Sequence, residues 1–417
     1  MKVKPLVLFH SECNFFAGSE RMLINFFKNE EFRSEFKIFF ITGNSEKYLR
    51  ELSYFFEPDF DYSQIGFPKQ FHPSSDFKYL PRSISVLCRK VTEILYRIPI
   101  VIIDICLLIP HLRRIKPDIV HINNGGYPGS PSARAMVLAS RIVGVHSIFM
   151  VVNNEALDYQ PVHRWFDRPT DWLVCGSITN FITGSKSSAN KLINVLKLDR
   201  DKIVSLPNGV IHRDPDESVE SIRRRVGLDD MFCGLVGLVV SRFEYRKGHL
   251  VLLDALEILK KSGAISSNNL RIIFEGNGPE LQEVLDMIER LDLSSIVQFV
   301  GDERNIANLY AASDFLILPS IKEEDFSNVI SESMSHGLCV IATDVAGARE
   351  QVSDGQTGFI VSPNNPIELS DVILRVVANP EVVSVAGRKG KDRYLNNFTP
   401  EIAVKRYFDL YKESIQN

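Results

Sequence analysis

Two glutamates stand eight positions apart in Glu324-Asp325-Phe326-Ser327-Asn328-Val329-Ile330-Ser331-Glu332, just after the apolar run Phe315-Leu316-Ile317-Leu318. A buried parallel strand, a polar turn and then a helix put that turn at the carboxyl edge of a sheet, where open α/β folds collect ligands. The helix is expected to begin near Asn328, so backbone N–H groups around Ser327, Asn328 and Val329 offer an anion site. Glu324 then lies in the loop and Glu332 one turn into the helix. Carboxylates suit sugar hydroxyls better than phosphates, so the combination predicts a nucleotide-sugar. Taken singly, Glu324 is part of an acidic surface run and Glu332 an ordinary helix residue; their neighbours decide between the readings.

A second cluster, Ser241-Arg242-Phe243-Glu244-Tyr245-Arg246-Lys247-Gly248, follows the apolar strand Gly234 to Val240 and precedes a helix expected from Gly248. Arg242 brings a rigid fork of donors and Lys247 a mobile point charge, a pair fitted to a diphosphate that gains charge as a sugar departs. A solvated basic loop is the plain alternative for either cation alone. A third loop, Glu275-Gly276-Asn277-Gly278-Pro279, follows Leu270 to Phe274. Its Gly-x-Gly lacks the third glycine of the dinucleotide fingerprint.

Together these segments resemble family 4 of the glycosyltransferases, retaining enzymes of the GT-B fold. The resemblance rests on Arg242…Lys247-Gly248, Gly276-Asn277-Gly278, the frame E-x-F-x-N-V-x-x-E-x-M from Glu324 through Glu332, and Thr343 to Glu350 followed by Asp354 to Phe359. In the amino-terminal half, Ala17-Gly18-Ser19-Glu20-Arg21 is similar to the family's glycine loop and Pro207-Asn208-Gly209-Val210 to its interdomain junction. The resemblance implies a retaining hexosyltransferase. It places Arg242 and Lys247 on the diphosphate, Glu324 on the donor sugar and Glu332 on the ribose, with Gly276, Asn277, Phe326, Ser327, Asn328 and Val329 around the donor. Gly18 would let backbone approach the phosphate. Front-face attack is implied, the leaving phosphate taking the acceptor proton. Many members carry a histidine where this chain reads Val151-Val152-Asn153-Asn154, so Asn153 takes that place and cannot carry a proton. His121 is read as ending a strand at the same cleft, with a catalytic and a packed role weighed equally. Asp325 stands where the family usually has glycine.

The elements that must position these residues follow an alternation of apolar runs and helical stretches. Runs at Leu6–His10, Phe36–Thr42, Ile119–Ile122, Ser147–Val152, Trp172–Cys175 and Ile203–Leu206 restart after Asn208 at Gly234–Val240, Leu270–Phe274, Ile296–Val300, Phe315–Leu318 and Cys339–Ala342. The expectation is an α/β fold of GT-B architecture, two facing Rossmann-like domains with a cleft between them. Residues 1–207 are expected to form the acceptor-side domain and 208–399 the donor domain, and the resemblance implies that the helix of 400–417 packs back on the first.

Composition agrees: 417 residues, 45% hydrophobic and 24% charged, suit two globular domains. A net charge of −4 argues against a nucleic-acid partner. Six scattered cysteines without metal or redox spacing, and no signal-peptide apolar region, predict reduced thiols in a cytoplasmic protein. Lys78, Arg82, Arg89, Lys90, Arg97, Arg113, Arg114 and Lys116 surround the apolar run Val101–Ile109, which is too short to span a bilayer and is interrupted by Asp104 and Pro110. This basic excess predicts peripheral contact with an anionic membrane. Asp59-Phe60-Asp61 matches a Mn²⁺-binding signature of another glycosyltransferase fold but lies far from the donor motifs, so no metal and no other cofactor is expected. The partners expected are a nucleotide-sugar donor and a glycan or lipid-linked glycan acceptor in surface polysaccharide synthesis. The alternatives are a sugar-nucleotide epimerase, a phosphorylase, for which no pyridoxal phosphate lysine motif is identified, and a catalytically silent binding subunit.

Overall fold

The computed structural model describes residues 4–13, 18–55, 59–68, 82–160, 162–228 and 231–416. Ala17 and Lys78 lie outside them, as do the side chains of Arg82, Arg89 and Lys90. Two units are formed, Met1–Leu206 with Ala403–Asn417, and Pro207–Ile402.

The first unit holds strands β1 (Leu6–Ser11), β2 (Lys37–Gly43), β3 (Tyr62–Ile65), β4 (Ile119–Asn124), β5 (Ser147–Val152), β6 (Asn180–Thr183) and β7 (Ile203–Ser205). All pairings are parallel, in the order β3-β2-β1-β4-β5-β6-β7. Near-continuous apolar strands such as Ser147–Val152 are buried at every position, as expected where helices cover both faces. The second unit holds β8 (Leu235–Val240), β9 (Leu270–Glu275), β10 (Val297–Gly301), β11 (Phe315–Leu318), β12 (Cys339–Thr343) and β13 (Gly358–Val361), parallel in the order β10-β9-β8-β11-β12-β13. Its core splits by the two-residue period of a strand: Ile272 and Ile317 pack on one face with Leu252 and Leu256, Ile273 and Leu316 on the other with Tyr310 and Ile330.

In each sheet the strand order reverses once, between β1 and β4 in the first unit and between β8 and β11 in the second. Helices leave in opposite directions there, opening a crevice above the carboxyl ends of the strands. The loops after β8 and β11 are those carrying Arg242, Lys247 and Glu324.

One strand expected from the sequence is corrected, and three strands go unread. Trp172–Cys175 is not a strand but part of the helix Arg168–Ser177, in which Trp172 and Leu173 face solvent and Val174 faces the core. A four-residue apolar run cannot by itself distinguish the two periods. Strands β3, β6 and β13 are four residues each and carry too weak a signal to be read from the sequence. The helix Arg82–Ile115 runs on through Pro99, Asp104 and Pro110, so the residues that break the apolar run do not break the helix. Asp104 is buried, and that burial, with Glu12 nearby, pushes its carboxyl up to about 7.

Candidate functional site

The loop after β8 turns through a 3₁₀ segment, Tyr245–Lys247, into Gly248 at φ +71° and then the helix His249–Lys261. A Cβ at Gly248 would stand 2.0 Å from the Pro319 carbonyl oxygen, so glycine lets this loop lie against the exit of β11. Lys247 is thereby ion-paired with Glu324, whose Oε1 also accepts from Ser320 Oγ at 2.8 Å. Arg246 lies 3.7 Å from the same carboxylate oxygen and donates to the Glu323 carbonyl at 3.0 Å. Its Nε donates to Glu244 at 2.7 Å, and the other oxygen of Glu244 is 3.0 Å from Arg242. Arg242, Glu244, Arg246, Glu324 and Lys247 thus form one charged ladder across two loops. His249 anchors its base, stacked on Phe243 with ring centroids 4.3 Å apart and hydrogen-bonded to Ser241 at 3.0 Å; burial and the Lys247 charge lower its pKa to about 4.

Gly276 and Gly278 form the seat of that loop. Added Cβ atoms would meet Ser241 O at 2.1 Å and Phe243 O at 2.3 Å respectively, while Phe243 N donates to Asn277 O at 3.0 Å. The structure therefore gives Gly276, Asn277 and Gly278 a packing task beneath Arg242. Glu275, just before them, was not singled out as a site residue by the sequence. Burial, with repulsion from Asp302, Glu303 and Glu332 and against a hydrogen bond from Glu303 N–H, pushes its carboxyl up to about 7.

The helix after β11 spans Asn328–Ser335, and Glu332 on it accepts from Tyr310 OH at 3.1 Å. One expectation for its start is corrected: the Ser327 N–H is not open to a phosphate, because it donates to Gln351 Oε1 at 2.9 Å. Gln351 Nε2 returns bonds to Ser327 O at 2.8 Å and Ser331 Oγ at 3.0 Å, so one fully buried amide fixes the first turn. No local spacing signals this, since Gln351 lies 24 residues downstream. Phe326 is buried against Phe398 at 5.3 Å, Val329 packs at the edge of the same core, and Asn328 Oδ1 accepts from Asn208 at 3.3 Å. Asp325 is buried, and its carbonyl accepts from Gly347 N at 2.9 Å.

In the first unit, Gly18 opens the helix Gly18–Lys28 after β1. Two residues on, buried Glu20 accepts from Ser11 at 3.2 Å, Ser19 at 2.7 Å and Asn123 at 3.2 Å. Asn153, directly after β5, donates to Asn123 Oδ1 at 2.9 Å and Asn124 O at 3.0 Å. A polar chain from Ser11 through Glu20 and Asn123 to Asn153 therefore lines the carboxyl ends of β1, β4 and β5; the sequence pointed to Gly18 and Asn153 but not to the residues joining them.

His121 is placed elsewhere. It does not end its strand, because β4 continues to Asn124. The ring is 2% exposed, hydrogen-bonded to Tyr411 OH and enclosed by Phe9, Phe26 and Tyr407 at 4.8 to 5.7 Å between centroids. Burial lowers its pKa to about 3, so it stays neutral, and of its two readings the packed one describes this geometry. Asp59 of the Asp-x-Asp sequence pairs with Arg33 at 2.5 Å. Among the described residues no group of three or more His, Cys, Asp or Glu side chains is arranged to hold a metal ion.

Residues 235–393 match the family described as Glycosyl transferases group 1, and residues 71–213 match Glycosyltransferase Family 4. The chain is 26% identical to N-acetyl-alpha-D-glucosaminyl L-malate synthase of Bacillus anthracis over 37% of its own length and 40% of that protein's. It is 26% identical to alpha-D-kanosaminyltransferase of Streptomyces kanamyceticus over 64% and 68%, and 24% identical to O-antigen chain mannosyltransferase C of Escherichia coli over 67% and 70%. It thus spans well under half the length of the first of these relatives. A glycosyltransferase structure from Rickettsia africae superimposes with a TM-score of 0.77 at 20% identity, covering 99% of both chains. Anabaena Alr3699/HepE in complex with UDP gives 0.74 at 19%, over 99% of this chain and 100% of that one. These likenesses establish the GT-B architecture of two Rossmann-like domains.

Proposed function

The chain belongs to the family 4 glycosyltransferases, and from that premise we propose that it moves a hexose-type sugar, with retention, from a nucleoside-diphosphate sugar to a glycan or lipid-linked glycan acceptor in surface polysaccharide synthesis. The observation that carries the reading is the ladder from Arg242 to Lys247 and Glu324 at the strand-order reversal of the second unit. In this reading Arg242 and Lys247 bind the diphosphate, Glu324 accepts from donor-sugar hydroxyls and Glu332 from the ribose. As the sugar leaves, its bond to the phosphate oxygen breaks and negative charge grows there; preorganised cations stabilise that charge more than the ground state. The acceptor hydroxyl attacks the same face of the sugar and gives its proton to the departing phosphate, so no protein base and no metal is assigned. Supporting the donor class, the HepE structure is a complex with UDP, and a relative is named for O-antigen mannosyl transfer.

The reading places the protein in the cytoplasm, peripheral on the inner face of the membrane. No described helix is long and apolar enough to cross a bilayer. The helix Arg82–Ile115 exposes Ile98, Ile102, Ile103 and Leu107 and ends in Arg113 and Arg114, a composition suited to an anionic surface. Pelleting with anionic liposomes that is unchanged when Arg113 and Arg114 are neutralised would remove this part.

The donor reading is tested by thermal shift with UDP, GDP, ADP and dTDP and their common sugars, on the parent and on Lys247→Ala. A ligand at 100 times its Kd adds about 2.7 kcal/mol to the binding state. One nucleotide should raise the parent's midpoint and lose that effect in the variant; no shift with any of them would favour a silent binding subunit.

A further inference from the structure

A groove of about 970 Å³ runs between the helix Arg168–Ser177 and the helix Lys186–Leu196 of the first unit. It is bounded at one end by Asp158 and Tyr159, which follow β5, and at the other by Ser177 and Lys202, which precede β6 and β7. In a parallel sheet those ends are opposite edges, so the groove leads from the carboxyl edge along the outer helical layer. Its volume is of the order of small-ligand sites, about 300–1,000 Å³.

Trp172 lines this groove and is 75% exposed. The helix could have satisfied its core with Val174 alone; an indole left in water on a concave wall, with no aromatic or cation partner among the described residues, is an apolar platform. Tyr159 makes the wall beside it rigid: its OH donates to Asp171 at 2.6 Å, and the Arg164 and Arg168 guanidinium groups stack at 4.7 and 4.9 Å from its ring centroid. The charge of the lining cancels, Arg168, Lys197 and Lys202 against Asp158, Asp171 and Asp199. Much of it is already engaged, Asp158 by Lys191 at 2.7 Å, Asp171 by Tyr127 and Tyr159, and Lys202 by the Ile178 carbonyl at 2.9 Å. The side chains of Ser177, Asn194 and Asp199 have no hydrogen bond or ion pair among the described residues.

An anionic ligand gains nothing from a lining of zero net charge, and an extended peptide has no open strand edge to pair with between two helices. A neutral polyhydroxylated chain fits each feature. The C–H face of a pyranose lies on the indole, and its hydroxyls meet Ser177, Asn194 and Asp199. We propose that this groove is a secondary binding site for a neutral oligosaccharide, holding a stretch of glycan away from the residues that carry out transfer. The inference rests on the transferase reading, which supplies such a ligand.

The chain's two tryptophans, Trp165 and Trp172, allow a direct test. In Trp165→Phe the sole indole is Trp172, and its emission is titrated with maltohexaose, cellohexaose and chitohexaose, with their monosaccharides, and with phosphatidylglycerol vesicles. A saturable change with at least one hexasaccharide, at least about tenfold weaker for its monosaccharide, is expected. The partner variant Trp172→Phe, which reports from Trp165, should stay flat, and circular dichroism confirms that both are folded. No saturable change with any hexasaccharide, an equal response from Trp165, or a response to vesicles alone overturns the proposal. The transferase reading fails separately: if no nucleotide stabilises the parent while Trp172 still answers to sugar, the groove stands and the donor site falls.

Discussion

The Lys247 ammonium and the Glu324 carboxylate, 77 residues apart, are ion-paired at the point where the loops after β8 and β11 meet. Both are assigned to the donor in the proposed reading, and each satisfies the other. In the proposed reading donor binding exchanges partners, Lys247 turning to the diphosphate and Glu324 to sugar hydroxyls. On that reading Lys247 meets charge that grows only in the transition state, so Lys247→Ala should lower kcat by roughly two to three powers of ten. Near-parental turnover in a folded variant would take Lys247 out of the site.

When Lys247 leaves Glu324, Ser320 at 2.8 Å and Arg246 at 3.7 Å remain to hold it. Arg246 also ties Glu244, the partner of Arg242. Removing it should let both groups assigned to the donor drift, lowering kcat about tenfold, near 1.4 kcal/mol, with Arg246→Lys recovering part of the loss. The comparison is made by steady-state kinetics at saturating donor. A change in stability with kinetics untouched would reduce Arg246 to a surface ion pair.

These relationships mark where the sequence stops being informative. The runs at Ser147–Val152 and Phe315–Leu318 are strands with the bounds the sequence suggests, because a two-sided burial demand leaves an unbroken apolar record. The same criterion misreads Trp172–Cys175, whose apolar residues are partly outward-facing, and passes over Tyr62–Ile65, an edge strand with only Ile65 buried. At the site, Arg242, Lys247, Glu324 and Glu332 stand out by type and spacing. Arg246, Gln351, Glu20 and Asn123 matter through partners distant in sequence, and no local pattern encodes such pairings. His121 shows the converse: a histidine two residues before an Asn-Asn pair that the fold turns into an aromatic core.

Gly276 should tolerate no side chain. Its φ is +125°, and a methyl group there would stand 2.1 Å from Ser241 O, so Gly276→Ala combines backbone strain with overpacking. Denaturant unfolding should show a loss of about 2–5 kcal/mol. Gly263→Ala, at φ +75° with nothing within 4 Å, is the control and should lose only the strain contribution, about 1 kcal/mol. Equal losses would mean that the contact beneath Arg242 is unimportant.

His121→Leu separates packing from chemistry. It removes the partner of a buried Tyr411 hydroxyl, so unfolding should become easier by about 1–3 kcal/mol. Turnover per folded molecule should match the parent at pH 7. A loss of kcat of a hundredfold or more without a loss of fold would restore the catalytic reading.

Glu275 provides the pH dependence. Its folded-state pKa, about 7, lies above the usual 4.5 because burial and neighbouring carboxylates oppose ionisation. The native state therefore binds this proton more tightly than the unfolded chain does, so its contribution to stability is full below about 4.5 and is lost as pH rises to about 7. His249 and His336, both lowered to about 4 and led by burial, act in the opposite sense, adding stability as pH rises from about 4 to 6.5. A single pH profile mixes these slopes, so the measurement is a difference. Glu275→Gln keeps an oxygen to accept from Glu303 N–H, now at 3.1 Å to Glu275, and removes the titration. Its melting midpoint minus the parent's should grow between pH 5 and pH 8; a constant difference would show that Glu275 ionises in the folded protein as freely as in the unfolded chain.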